Sequence, residues 1–303
     1  MNLHAPQSVE TATELREIAA VPLQIVSPRE SVPIVSVVQD TLVGANRFTR
    51  SNVLFTKKEA MNLLVHAKRW EGKLPAPVTT TPQPMWSGQQ LLSALLPPVS
   101  LQMPNSSYSD EDKKNPQSPN LVKILNGVIE QGILDKSVFS KQLIHIIYND
   151  YGPDITVDFL DSLQAMIANF LMNGGFSVGI SDLIADQATN DEIGIALNKL
   201  TKTIEEQILQ LHTGLFENSS GRSNQEEFES KVMNTLNKAV GEAGKIGLKS
   251  LADTNRMTNM VKAGSKGSDV NVSQMIATLG QQAIEGKRVP NGFQHRTLSL
   301  IHI

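Results

Sequence analysis

The chain has 303 residues, 40% hydrophobic and 19% charged, enough apolar material for two or three modest folded domains. Lys and Arg number 27 against 30 Asp and Glu, a net charge of -3, so the chain lacks the basic excess of a free-standing nucleic-acid module. It contains no cysteine, which excludes a disulfide framework and a thiolate metal site. No basic-then-apolar leader opens it and no run approaches about 18 consecutive apolar residues, so neither a targeting segment nor a membrane span is predicted.

The first predicted element is a helix over SVETATELREIAAV, with Val9, Ala12, Leu15, Ile18 and Ala19 on one face. PLQIVSP and PIVSVVQDTLV, bounded by Pro22, Pro28 and Pro33, read as short buried strands, a mixed α/β beginning. Residues 56–68 form another amphipathic helix. In LPAPVTTTPQPMWSGQQLLSALLPP the prolines impose extended backbone around a helical turn or two from Gln89 to Leu95. Residues 104–119, PNSSYSDEDKKNPQSP, have almost nothing to bury and are expected as a mobile surface loop. LVKILNGVIEQGIL follows as a strand pair turned by Asn126-Gly127.

DITVDFLDSLQAMIANFLMNGG places Phe159, Leu163, Met166, Ile167, Phe170 and Leu171 on one helix face and stops at Asn173-Gly174. Two capping boxes, Thr189 with Glu192 and Ser223 with Glu226, then open long helices. The first carries Ile193, Leu197, Leu200, Ile204, Ile208 and Leu211, the second Phe228, Val232, Leu236, Val240, Ala243 and Ile246. With Gly214 and Gly221 between them, residues 190–213 and 224–250 are expected to pair as an antiparallel hairpin. The fold class is therefore mixed α+β, α/β in the first part and mainly helical in the second.

Chemistry is sparse. His4, His66, His145, His212, His295 and His302 include no pair at metal-ligand spacing, and His145, in LIHIIY, reads as a packed or hydrogen-bonded core histidine in a strand, with a catalytic base as the alternative. Asp40 and Asp182 follow strand-like segments, where a capping or turn aspartate is the default and a catalytic carboxylate the alternative. The run DEDKK reads as a solvated loop.

AGSKGSDVNVSQMIATLGQQAIEGKR, residues 263–288, stands apart. Gly264 and Gly267 bracket Ser265 and Lys266 ahead of a predicted helix, an arrangement suited to a phosphate. The spacing excludes a P-loop, which needs four residues between its first glycine and Gly-Lys-Ser/Thr. A helix from about Asn271 to Ile284 would bury Val272, Met275, Ile276, Leu279 and Ala283, and set Gln274 and Gln281 on a shared polar face.

AGSKGS followed by SQMIATLGQQAIEGKRVPNGFQHRTL resembles the largest subunit of multisubunit DNA-dependent RNA polymerases, closest to the RNA polymerase II type. MNLHAPQS, VPLQIVSPRESVPIVSVVQDTLVG, PQPMWSGQQLLS, LIHIIYNDYGP and NGGFSVGISDLIAD resemble successive segments of that subunit in the same order. The resemblance implies an interior fragment: residues 1–40 as the end of the active-site domain, 41–185 as the pore, 186–298 as the funnel and approach to the bridge helix. Pore and funnel would form the secondary channel through which nucleotides reach the active centre.

The same resemblance implies that Lys266, with Ser265, faces the passage taken by nucleoside triphosphates, and that Gln274, Gln281, Gln282, Lys287 and Arg288 belong to the channel wall, which is similar to a toxin-inhibitor pocket in susceptible enzymes. It implies no catalytic residue and no metal ligand in this chain, the Mg²⁺ of the full enzyme being held by an aspartate-rich loop outside it. The implied partners are the second-largest and smaller polymerase subunits, template DNA, nascent RNA, nucleoside triphosphates and a transcript cleavage factor at the funnel, with no membrane. The implied address is the nucleus for a cellular enzyme, cytoplasm or virion for a large DNA virus. Departures include Gln89 for a usual lysine, Ser181 for glycine and His295 for aspartate, and residues 299–303 look foreign to the family. The alternative function is a non-catalytic scaffold that docks partners through its helical hairpin.

Overall fold

The computed structural model describes residues 2–288. They form two compact units, one of residues 1–177 with 259–266, the other of residues 178–258 with 267 onward.

The first unit opens with α1 (Val9–Glu17), capped by Ser8, whose hydroxyl accepts from the Thr11 N–H. The expected helix forms, but its apolar stripe is uncovered: Val9 is 81% and Ile18 64% exposed. The two expected strands after it do not form. Val21–Gln24 is a turn of 3₁₀ helix, a lone bridge joins Val26 to Pro33, and Gln39–Phe48 is helix α2. Prolines at 22, 28 and 33 supply no N–H for a ladder. From Leu42 the buried residues Leu42, Ala45 and Phe48 recur at helical spacing, which the strand reading ran across.

Two strand-helix pieces then pair. β1 (Leu54–Thr56) runs into α3 (Lys57–Leu64), and β2 (Met85–Ser87) into α4 (Gly88–Ser93), with Phe55 opposite Trp86 in an antiparallel register. Each strand ends in a hydroxyl residue that builds a capping box, Thr56 with Glu59 and Ser87 with Gln90, so each helix begins where its strand stops. Next come β3 (Leu101–Pro104), β4 (Leu121–Leu125) and β5 (Val128–Gln131) in an antiparallel sheet of that order. Asn126 and Gly127, with φ of 48° and 78°, make the type I′ turn expected of them.

Residues 104–119 are tied down rather than mobile. Asp112 accepts hydrogen bonds from Ser109, Ser118 and Asn120, and the Gln131 amide donates to the carbonyls of Pro116 and Ser118. Polar composition here marks a hydrogen-bonded loop, not an unstructured one.

A continuous helical run follows: α5 (Lys136–Val138), a π turn over Phe139–Leu143, and α6 (Ile144–Tyr151). His145 is thus on a helix, where its Nε2 pairs with the Asn149 side chain at 3.1 Å. α7 (Pro153–Gly174) is the central helix of this unit, with Phe159, Leu163, Met166 and Ile167 fully or almost fully buried. It is long and apolar enough to cross a membrane by composition, but its stripe is covered by α2, α3 and α6. Phe170 completes an aromatic cluster with Phe48 and Phe55, with centroids 5.1 to 5.8 Å apart. Each such buried side chain contributes about 1.5–3 kcal/mol of transfer free energy.

The second unit is built on α8 (Gln187–His212) and α9 (Asn224–Ser250), packed as the expected antiparallel hairpin. α9 has its Ser223–Glu226 capping box; α8 begins earlier than its motif suggested, because Asp186 accepts from the Thr189 N–H and serves as N-cap. Thr189 is inside the helix and buried. The hairpin turn is closed by Phe216 edge-on to Phe228 at 6.0 Å and by the Lys231 ammonium over the Phe216 ring. α10 (Arg256–Ala263) begins in this unit and ends in the first. After Lys266 the chain returns to the second unit as α11 (Asp269–Ile276), seated on α9, and the short hairpin of β6 (Ala283–Ile284) and β7 (Lys287–Arg288).

Candidate functional site

AGSKGS is the join between two helices. Gly264 closes α10 with φ of 74°: its N–H donates to the Val261 carbonyl and that of Ser265 to the Met260 carbonyl, the Schellman arrangement. Side-chain methylenes of Lys136 lie against the Gly264 α-carbon, where a β-carbon would clash. Ser268 opens α11, with Asn271 accepting from its N–H and hydroxyl at 2.9 and 2.7 Å. Gly264, the Ser265 N–H and Ser268 are therefore occupied in ending one helix and starting the next. Lys266 projects from the turn between them, exposed, and its ammonium has neither a hydrogen bond nor an ion pair among the described residues; Ser265 beside it is half-buried.

The expected long helix after Lys266 is shorter. α11 ends at Ile276, and Gln281 and Gln282 lie beyond it, so Gln274 and Gln281 do not share a helix face. Packing overrides the pattern at Gly280, with φ of 77°, whose backbone settles on the Val240 side chain so closely that no β-carbon could fit. Gln274 and Gln281 are half-buried, and Gln282 is exposed. The Gln281 amide donates to the Gln282 carbonyl at 2.9 Å.

Lys287 and Arg288 differ sharply. Lys287 is exposed, whereas Arg288 reaches α9 and forms two parallel hydrogen bonds to Glu229, Nε to Oε2 at 2.8 Å and Nη2 to Oε1 at 2.7 Å. Those bonds hold the Glu229 carboxyl below its ordinary pKa.

The two weighed aspartates are structural. Asp40 is exposed in the first turn of α2, favourable against the helix dipole. Asp182, almost fully buried, accepts from the Gly179 N–H at 2.9 Å and from the Arg256 N–H and Nη1, while its own carbonyl accepts from the Asn255 amide. The Gly179 N–H, then Arg256, keep its carboxyl ionised below the usual range. This hub lines an open cleft of about 370 Å³ with Asp186, Ser250 and Thr254. Sequence gave no sign of it, since the partners are 73 and 74 positions apart.

Gln89 was singled out only as a departure from a lysine. Its amide donates to the carbonyls of Thr49 at 3.0 Å and Gly132 at 2.9 Å, joining α4 to the segments that follow α2 and β5.

Lys266 is thus an exposed cation, and Gln281 and Gln282 follow α11 on this chain. Two family models match it: RNA polymerase Rpb1, domain 3, over residues 24–183, and RNA polymerase Rpb1, domain 4, over residues 186–303. The chain belongs to the largest subunit of DNA-directed RNA polymerase, a multisubunit nucleotidyltransferase whose other subunits, DNA and RNA are its implied partners. The second match runs through residue 303, so it does not set the last five residues apart; these, with His295, lie outside the described residues. The family implies Mg²⁺ in the full enzyme. The described residues here do not fit it, since no three His, Asp or Glu side chains gather in one place.

Proposed function

We propose that the chain walls the secondary channel of the polymerase, with residues 41–185 as pore and 186–298 as funnel, and that Lys266 steers incoming nucleoside triphosphates. The domain reading is supported by the two family matches meeting at residues 183 and 186 and by the compact units dividing near residue 177. The observation that carries the site reading is the exposed ammonium of Lys266, unpaired among the described residues, on the turn that follows the Gly264 cap of α10.

A lysine about 4 Å from a phosphate charge interacts by roughly 1 kcal/mol in bulk water and about 4 kcal/mol at an effective dielectric of 20. A passage that admits nucleotide and releases pyrophosphate stays hydrated, which selects the low end: attraction during approach rather than tight anchoring. Ser265 stands beside Lys266 in the first unit; within the second, Gln274, Gln281, Gln282 and Lys287 supply neutral donors and one further cation, with Arg288 supporting them. The exposed hairpin turn around Leu215 is the part of the funnel offered to a transcript cleavage factor.

In the assembled polymerase, Lys266→Ala reduces incorporation several-fold at limiting nucleotide and low salt, and much less at saturating nucleotide. Lys266→Arg is mild. Loss of the maximal rate at saturating nucleotide would place Lys266 in the transition state and overturn the steering reading.

A further inference from the structure

One stripe of α9 carries the described segment that follows Lys266, through Arg288. Glu229, Val240, Gly244 and Gly247 fall within about 60° of one another on a 3.6-residue helix and span about 27 Å of its length. Ser273 lies over Gly244 and Ile276 over Gly247; the chain then reverses, setting Gly280 on Val240 and Arg288 on Glu229. Residues 280–283 are therefore a strap laid back along α9, fixed at one end by Gly280 on Val240 and at the other, where the β6–β7 hairpin sets Arg288 opposite Ala283, by a two-point ion pair. Between those ends Gln282 through Lys287 are all exposed, and β6 and β7 contribute two residues each.

We propose that Arg288 and Glu229 form a latch that positions Gln281 and Gln282 along the nucleotide passage, making Arg288 a positioning residue of the polymerase rather than a group that touches substrate. This rests on reading the strap as channel wall. A planar guanidinium on a carboxylate fixes orientation as well as distance, because both N–H bonds must be satisfied together. Successive strand residues point to opposite sides, so seating Arg288 on α9 turns Lys287 outward. Without the latch the strap keeps its Gly280 seat and loses its far end, and the two glutamines sample a wider range of positions.

The test compares Arg288→Met, Glu229→Gln and the exchange Glu229→Arg with Arg288→Glu in the assembled polymerase. Hydrogen exchange across residues 281–288 rises about three- to tenfold in each single variant while α8 and α9 are unchanged. The nucleotide KM rises about two- to fivefold with kcat nearly constant, and the charge exchange restores both. Unchanged exchange in the single variants overturns the latch; raised exchange with an unmoved KM overturns the positioning role. Lys266→Ala, measured alongside, separates the two readings. If it leaves KM unmoved while the latch variants raise it, steering fails and the latch stands; the reverse removes the latch alone.

Discussion

Three glycines on α9 experience one helix and three different surroundings, which makes them a matched test of how α11 is seated. Replacing glycine by alanine inside a helix gains up to about 1 kcal/mol of propensity. At Gly241 nothing lies within 4 Å of an added β-carbon, so that gain is realised in full. At Gly247 the nearest atoms, from Ile276 and Ala277, would be 3.4 and 3.6 Å away, ordinary contact, and the gain is largely kept. At Gly244 the β-carbon would meet Ser273 Oγ at 2.6 Å and Ser273 Cβ at 2.7 Å. Rotating the hydroxyl relieves only the first clash and breaks its bond to the Asp269 carbonyl; the second requires α11 to move. Such overpacking costs about 1–3 kcal/mol, so Gly244→Ala is neutral to about 2 kcal/mol destabilising after the propensity gain.

Urea denaturation followed by circular dichroism gives the order Gly241→Ala most stable, Gly247→Ala next, Gly244→Ala least. Hydrogen exchange read separately over α9 and α11 is needed beside it, because two compact units need not unfold in one transition. In Gly244→Ala the α11 amides lose protection first. Combining it with Ser273→Gly removes both clashing atoms, and the pair is less destabilised than the sum of its singles. Equal stability of Gly244→Ala and Gly241→Ala would refute the close seating of α11.

Asp112, held at a pKa of about 2 against an ordinary 3.8 chiefly by the Ser118 hydroxyl and Ser109, stabilises its loop above pH 3.8 and loses that contribution as pH falls through 2; exchange over residues 109–120 rises across this window, and Asp112→Ala raises it at neutral pH. Gln89→Leu strands the carbonyls of Thr49 and Gly132 and costs about 1–3 kcal/mol in denaturant melts, whereas Gln89→Lys, which can donate to both, costs less. Asp186→Ala removes the α8 cap at about 1 kcal/mol, while Glu192→Ala changes thermal stability by less than about 0.5 kcal/mol, the reverse of what a Thr189 capping box requires.

Long periodic helices were legible, and for a physical reason. α7, α8 and α9 each repeat their apolar residues over many turns, so no local irregularity could hide the period. The Asn126-Gly127 hairpin was legible because few dipeptides tolerate two left-handed residues in succession. Residues 22–43 failed because short apolar runs between prolines fit a strand or a buried helix equally well, and burial of Leu42, Ala45 and Phe48 on α7's unit decided it. The Asp182 hub and the Arg288–Glu229 pair failed for a different reason: both join side chains 59 or more positions apart, and no local pattern encodes such a meeting.

The glycine-flanked lysine combines both cases. Its residue types do suit a phosphate, but Gly264 ends one helix and Ser268 starts another, and these duties account for Gly264, the Ser265 N–H and Ser268. A motif whose glycines cradled a ligand would leave its N–H groups open; here the Gly264 and Ser265 N–H groups are bonded to the preceding turn. Two of the N–H groups a phosphate would use are thus already taken, and the proposed recognition falls chiefly on the lysine side chain, a point charge on a long flexible stem. That favours attraction over precise orientation, which is the physical difference between steering a nucleotide past a wall and holding it for reaction.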